Sequence, residues 1–366
     1  MLHVDDIYTI NELLKDLHDT SARFGRILII FTGDERQIMP IVKGIDPLSD
    51  RQADASFFFS RDCRLSTRVV LTENMRVQPG QELFLVIQRN IGSDRYQHVK
   101  FPHDTRNRLT RYICIPHLFA RYNEDAFIRE IFPPESFAAD PMSITRRVIL
   151  APHNTTVKLI NDRVASMMPA DRPSHTYLST NIPDAYDVNE VSTTVIFSAE
   201  NLQTISGSDI PGHSLTLIVG MAVMCMHNLD VPNGICNGSV MVVERLDTVV
   251  AWCRVNTRHG QRLVPIVPMR FTYSNNGLKF TRIQLPLRRA FCVTNNRSQG
   301  GTYDVVGYHA LRPIWAHGML YTAVTRVTGL SILCSPLLTY HHQGRDEVFA
   351  SSATCPVCPP FSFSPS

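Results

Sequence analysis

The sequence predicts an α/β protein built as two units. Short apolar runs of strand length recur along the chain, helical patterns stand between several of them, and one proline-interrupted stretch divides the alternation. The runs are residues 27–31 (ILIIF), 69–71 (VVL), 148–151 (VILA), 219–226 (VGMAVMCM) and 291–294 (FCVT). Continuous apolar runs of this length read as strands buried on both faces. Residues 10–17 (INELLKDL) and 154–168 carry apolar side chains at helical spacing. Pro133, Pro134 and Pro141 place a boundary near residue 140. A chain of 366 residues exceeds one typical domain, so two cores are expected.

Residues 240–284 differ in texture. Apolar and polar residues alternate there, with a turn signal at Ser274, Asn275, Asn276 and Gly277, which predicts a small β insertion. After Val348 the chain is rich in serine, proline and cysteine and reads as a loose tail.

Composition places the chain among globular proteins, with 44% hydrophobic and 19% charged residues. A formal charge of +3 permits a nucleic-acid partner without demanding one; basic residues gather at Arg61, Arg64 and Arg68, at Arg146 and Arg147, and at Arg288 and Arg289. Nine scattered cysteines lack the even, dense framework of a small secreted domain, and a reducing compartment without disulfides is expected. The first residues are acidic where a leader is basic and apolar. The longest apolar stretch, residues 215–226, is too short to span a bilayer, so no membrane partner is expected.

Four clusters carry candidate chemistry. Gly33, Asp34, Glu35, Arg36 and Gln37 follow the ILIIFT run, at the carboxyl end of a predicted strand, where α/β folds expose functional groups. The Gln37 amide suits sensing of a terminal phosphate or water, with Asp34 and Arg36 fixing the loop; an ordinary polar turn is the alternative. In residues 71–76 (LTENMR), Arg76 ends a short run, and its planar fork suits phosphate; a solvated arginine is the alternative. Residues 294–302 (TNNRSQGGT) form a polar, glycine-bearing turn able to aim hydroxyls, amides and backbone N–H groups at phosphate. Residues 317–326 (HGMLYTAVTR) read as a helix delivering Arg326 at its far end, where it can stabilise charge on a transferring phosphoryl group.

The order and spacing of these clusters resemble the motifs of the Pif-type (petite integration frequency) DNA helicases of superfamily one, including helitron helicases. RVILAPHNTTVKLIND resembles that family's first strand and helix of the second motor domain, and LTLIVGMAVMCMHNLDVPNGICNGS its approach to an SH3-like insertion. The similarity resumes at LPLRRAFCVTNNRSQGGTYD and runs to about Cys334.

The resemblance implies P-loop NTPase (RecA-like) motor domains, with ATP and Mg²⁺ bound between them and single-stranded DNA or a DNA junction across the top. On it, residues 1–140 are the C-terminal part of an incomplete first motor domain. Residues 141–239 and 285–340 are the second, 240–284 a small SH3-like β insertion (2B), and 341–366 the tail. Gln37, Arg76 and Arg326 are implied as catalytic, with Gly33, Asp34 and Gly300 contacting the nucleotide. Thr294, Asn296, Ser298, Gln299, His153 and Asn154 are implied as DNA contacts. The implied activity is ATP-driven 5′ to 3′ unwinding in DNA repair, recombination, telomere maintenance or transposon replication, in the nucleus, with the mitochondrion as the alternative location.

The sequence also departs from that family. No G-x-x-x-x-G-K-S/T loop is present, and the family's acidic metal-holding motif ends in a methionine that falls here at Met1, so an N-terminal truncation and an ATPase-deficient polypeptide are expected. Asp5 and Asp6 belong to the following helix and read as surface residues, and no metal ligands are assigned. Glu35 stands where an aromatic residue is usual, Arg297 for a lysine and Thr325 for a serine. Cys355 and Cys358, with only His341 and His342 as distant partners, read as free thiols rather than zinc ligands. Trp315 and Tyr321 read as core residues ahead of base-stacking ones, and Met221, Met224 and Met226 as core or interface. Two further readings compete: a non-catalytic single-strand-binding module derived from the helicase, and an unrelated α/β enzyme acting on a small nucleotide.

Overall fold

The computed structural model describes residues 3–42, 44–45, 54–93, 98–99, 111–115, 119–120, 124–138, 140–183, 199–205, 207, 210–275, 278–309, 314–316, 318–329, 332–334 and 346–350. His317, His341, His342, Cys355, Cys358, Asn276 and Gly277 lie outside the described residues. In chain order the principal helices are α1 (Val4–Leu17), α2 (Glu82–Gly92), α3 (Asn154–Ser166), α4 (Ala199–Thr204) and α5 (Met319–Val324). The principal strands are β1 (Arg147–Ala151), β2 (Ser174–Leu178), β3 (Thr180–Pro183), β4 (Ser214–Ile218), β5 (Ala222–Cys225), β6 (Val240–Leu246) and β7 (Ala251–Thr257). They continue with β8 (Gly260–Ile266), β9 (Met269–Asn275), β10 (Leu278–Gln284), β11 (Leu287–Arg289), β12 (Cys292–Thr294), β13 (Val305–Tyr308) and β14 (Ile332–Cys334).

The chain divides into two compact units. The first comprises Met1–Phe127, Leu150–His153 and Thr294–Ser366; the second comprises Ile128–Ile149 and Asn154–Val293.

In the first unit, α1 opens with a reciprocal cap: the His3 side chain accepts from the Asp5 N–H, and Asp6 accepts from the His3 N–H. Asp5 and Asp6 therefore serve the positive end of the helix, where carboxylates are favoured. Strand β13 pairs in parallel with β14, which pairs in parallel with Phe119–Ala120. Within the expected tail, Asp346–Ala350 forms a strand parallel to Arg111–Ile115.

Two expected buried strands in this unit are corrected. Residues 27–31 and 69–71 form neither strand nor ladder, and Leu28, Ile30, Val69, Val70 and Leu71 are among the most exposed apolar residues of the chain. An apolar run states a preference for burial, but a neighbouring strand has to supply it. Phe31 in the first run finds ring partners, stacking on Phe57 and edge-on to Phe24.

The second unit is dominated by antiparallel pairing. One sheet has the order β8-β7-β6-β5-β11, a second β9-β10-β3, and β2 pairs with β4. Residues 240–284 thus carry the expected β-rich texture as five consecutive strands. The expected strand over residues 219–226 is instead cut by a turn at Gly220, whose φ of +86° suits glycine. Met221, Met224 and Met226 are buried, as expected of core residues. Helix α3 is fastened to β12 by Asn161, whose amide donates to the Cys292 carbonyl and accepts from the Cys292 N–H.

The basic pairs are largely committed to structure. Arg147 donates to the Ile131 carbonyl, and Arg289 is ion-paired to Asp162 and donates to the Thr216 carbonyl. Among the described residues, no helix is long and apolar enough to cross a membrane.

Candidate functional site

The first unit gathers three of the four clusters around α5. This helix follows Gly318, which holds φ +76° and lies against the Asp34–Gln37 turn: a Cβ at Gly318 would stand 2.5 Å from the Gln37 carbonyl carbon and 2.6 Å from the Arg36 oxygen. Only a residue without a side chain permits that approach in that conformation. Gly318→Ala is therefore expected to cost about 1–3 kcal/mol, from left-handed strain and displacement of the turn, read as a lower urea midpoint.

The Asp34–Gln37 turn is self-supporting. The Asp34 carboxylate accepts from the Arg36 N–H at 3.1 Å and from the Gln37 amide at 3.5 Å, and the Asp34 carbonyl accepts from the Gln37 N–H. Asp34 and Arg36 neighbour the Tyr321 hydroxyl of α5; burial first, and the Asp34 charge second, raise its pKa. Gly92, at the end of α2, keeps this contact open, since a Cβ there would fall 2.7 Å from both the Tyr321 ring and the Arg36 side chain.

Arg326 leaves the carboxyl end of α5 and is 1% exposed. Its Nε donates to the Thr322 carbonyl at 3.0 Å, Nη1 to the Gly301 carbonyl at 3.3 Å and Nη2 to the Thr325 hydroxyl at 3.0 Å. Arg76 arrives from the irregular segment after residues 69–71, where Asn74 accepts from the Arg76 and Val77 N–H groups, and donates to the Thr325 carbonyl at 2.7 Å. Two guanidinium groups thus meet on one residue. Burial, then the neighbouring Arg76, push the Arg326 guanidinium down to about 10, with Tyr303, Asp34 and Tyr321 opposing. Guanidinium groups that converge in this way are relieved by an anion.

The polar turn after β12 packs against the same helix. The Asn295 amide donates to the Met319 carbonyl and the residue is fully buried; Ser298 is also fully buried, its hydroxyl donating to the Asn295 carbonyl. Gln299 donates to the Ile38 carbonyl at 3.4 Å. Thr294 is half-buried, whereas Asn296 and Gly300, the latter at φ +82°, are exposed. Gly33 lies against Phe58. His153 is half-buried in the first unit, and the exposed Asn154 opens α3 in the second. Trp315 is half-buried and donates its indole N–H to the Pro152 carbonyl, which fixes the peptide preceding His153. Glu35 pairs with Arg68, so its charge is answered locally.

Comparison with known proteins decides the relationship. A family model described as DNA helicase Pif1, 2B domain, matches residues 200–246. The ATP-dependent DNA helicase PIF1 of Xenopus laevis is 25% identical over 193 residues, which cover 50% of this chain and 26% of that helicase. Its counterpart from Danio rerio is 32% identical over 137 residues, covering 35% of this chain and 20% of that protein. The crystal structure of Bacteroides Pif1 bound to ssDNA matches 91% of this chain and 68% of that one, with a TM-score of 0.57 at 18% identity. The chain is similar to the Pif1 DNA helicases. It spans about a quarter or less of the curated Pif1 proteins it matches, and it has the mixed α/β, RecA-like motor fold of the solved Pif1 structure.

Several residues of this site, Thr325 aside, were not singled out by sequence reasoning. Thr322 and Thr325 hold both arginines, Tyr303 donates its N–H to the Arg326 carbonyl, and Asn295 anchors the polar turn. The available signal was the threonine four residues before Arg326, one helical turn away.

Proposed function

We propose that this chain is the arginine- and DNA-facing part of an ATP-dependent 5′ to 3′ DNA helicase. The observation that carries this reading is the meeting of Arg76 and Arg326 on Thr325, with Asp34 as an electrostatic neighbour and Gln37 bonded to Asp34 in the same turn. Two arginines with carbonyl-tethered guanidiniums, Arg326 buried and Arg76 half-buried, suit the terminal phosphates of ATP, where charge builds during phosphoryl transfer. On this reading Arg76 and Arg326 hold that phosphate and Gln37 orients the water or senses the phosphate. Asp34, Gly33 and Gly300 shape the surrounding loops. Asn296, Gln299, Thr294, His153 and Asn154 are the candidate DNA contacts, and Ser298 shapes the turn that presents them.

The residue types fit a polyphosphate, but no phosphate-binding loop stands in the sequence. Among the described residues no three metal-ligating side chains gather, so no step is assigned to Mg²⁺. The 366-residue polypeptide alone is expected to show no DNA-stimulated ATP turnover, because positioning and charge neutralisation are both incomplete. The domain assignment that accompanies this reading is residues 1–140, then 141–239 with 285–340, with 240–284 inserted, and the expected location is the nucleus. Repair, recombination, telomere maintenance and transposon replication are the processes such an activity serves.

A fluorescent oligothymidylate titration tests the reading. Affinity should fall steeply between 50 and 200 mM salt, as it does when several phosphates are neutralised, by roughly 10-fold or more for a few contacts. Salt-independent binding, or none at low salt, overturns the DNA assignment. Retained binding without turnover also matches the reading of a non-catalytic single-strand-binding module.

A further inference from the structure

The Asp34–Gln37 turn, the polar turn of residues 294–302 and the Arg326 guanidinium are joined through two adjoining groups. The Ile38 N–H donates to the Thr322 hydroxyl at 3.2 Å, and the Ile38 carbonyl accepts from the Gln299 amide at 3.4 Å. Ile38 is fully buried, so its two polar groups have to be satisfied internally. Thr322 in turn faces both ways. Its hydroxyl accepts from Ile38, while its carbonyl accepts from the Arg326 Nε at 3.0 Å and from the Thr325 hydroxyl at 3.0 Å. The residue is 0% exposed, and its N–H donates to the Gly318 carbonyl, against which the turn itself packs.

We propose that Thr322 is a positioning residue whose hydroxyl sets the Asp34–Gln37 turn in register with Arg326, so that anion binding at the arginine pair and single-strand binding at residues 294–302 reinforce each other through the Ile38 peptide. This rests on the function proposed above. An anion drawn to Arg76 and Arg326 fixes the guanidinium held by the Thr322 carbonyl. That fixes the hydroxyl one side chain away, and with it the Ile38 peptide that Gln299 grips. Valine at 322 keeps the shape and loses the acceptor, leaving a buried N–H unpaired; serine keeps the acceptor.

The test uses the full chain, tripolyphosphate as the anion and a fluorescent oligothymidylate as the strand. In the wild type, saturating tripolyphosphate should tighten oligothymidylate binding by about fivefold or more, and the oligonucleotide should tighten tripolyphosphate binding by the same factor. In Thr322→Val that factor should fall to near one while each separate affinity stays within about twofold, and Thr322→Ser should restore it. Amide hydrogen exchange without ligand supplies the second measurement: exchange at Ile38 should quicken in Thr322→Val and recover in Thr322→Ser. Unchanged coupling in Thr322→Val, or loss of both separate affinities together, overturns the inference while the DNA and phosphate assignment stands. Unaltered exchange at Ile38 overturns it as well. A wild type that binds neither probe sinks the functional assignment and the coupling with it.

Discussion

Arg282→Met is expected to unfold the β9-β10-β3 region of the second unit, with a loss of about 4 kcal/mol or more. Arg282 is fully buried in strand β10, beside Phe280 on the inward face of the strand. It has no carboxylate partner among its hydrogen bonds. Instead Nε donates to the Asn181 side chain at 2.8 Å, Nη1 to the Ile205 and Pro211 carbonyls at 2.7 and 2.8 Å, and Nη2 to the Leu202 carbonyl. The guanidinium thus pins α4 and the segment leading to Pro211 onto the sheet, over the small core of Leu202, Ile210, Phe271 and Phe280.

Methionine matches the volume and removes the donor from the buried Leu202 and Pro211 carbonyls, the half-buried Ile205 carbonyl and the Asn181 amide oxygen, which keeps only the Ser179 hydroxyl at 3.5 Å; each acceptor left unmet costs on the order of 1–3 kcal/mol. That sum is a large fraction of the stability of a typical domain. Burial lowers the Arg282 pKa, a cost that its hydrogen bonds to the surrounding carbonyls offset. Urea denaturation followed by limited proteolysis between residues 199 and 284 checks this. A midpoint within 1 kcal/mol of wild type would show that those acceptors are satisfied without it.

The second large effect is on anion binding. Arg76→Gln is expected to weaken tripolyphosphate binding by at least tenfold, since a charge-assisted bond to phosphate contributes about 1.5–3 kcal/mol. Arg326→Gln should lose as much binding and also some stability, because its guanidinium holds the Thr322 and Gly301 carbonyls as well as the Thr325 hydroxyl. The Arg76 guanidinium is tethered to the Thr325 carbonyl at 2.7 Å, and its replacement should leave the melting temperature close to wild type. Isothermal titration with each variant separates the two roles. Equal affinity in wild type and Arg76→Gln would remove Arg76 from the phosphate site. Because the two cations repel, the double variant should lose less than the sum of the singles.

Helices α1 and α3, strand β1 and the β-rich segment were legible from periodicity because each is specified locally, by spacing of apolar side chains and by caps. The clusters around Gln37, Arg76 and Arg326 were legible as well, since glycine, arginine and amide residues placed after apolar runs carry their chemistry in their identity. What stayed hidden were the contacts that join them. Thr322 is an unremarkable helical threonine until α5 is laid against Ile38, and Ser298 reads as a surface hydroxyl until the turn closes on Asn295.

The α/β class, the β-rich segment, the candidate phosphate-binding groups and the resemblance to Pif-type helicases were readable from the amino-acid sequence. Each of these resides in residue type and short-range order. Only the tertiary structure decided that residues 27–31 and 69–71 lie exposed and that Arg282 lies buried. Alternation along β10 puts Phe280, Arg282 and Gln284 on one face, but whether that face meets water or a ring of carbonyls depends on chain segments some 70 to 100 residues away. Burial is a property of the neighbours as much as of the residue, and the neighbours are chosen by the fold.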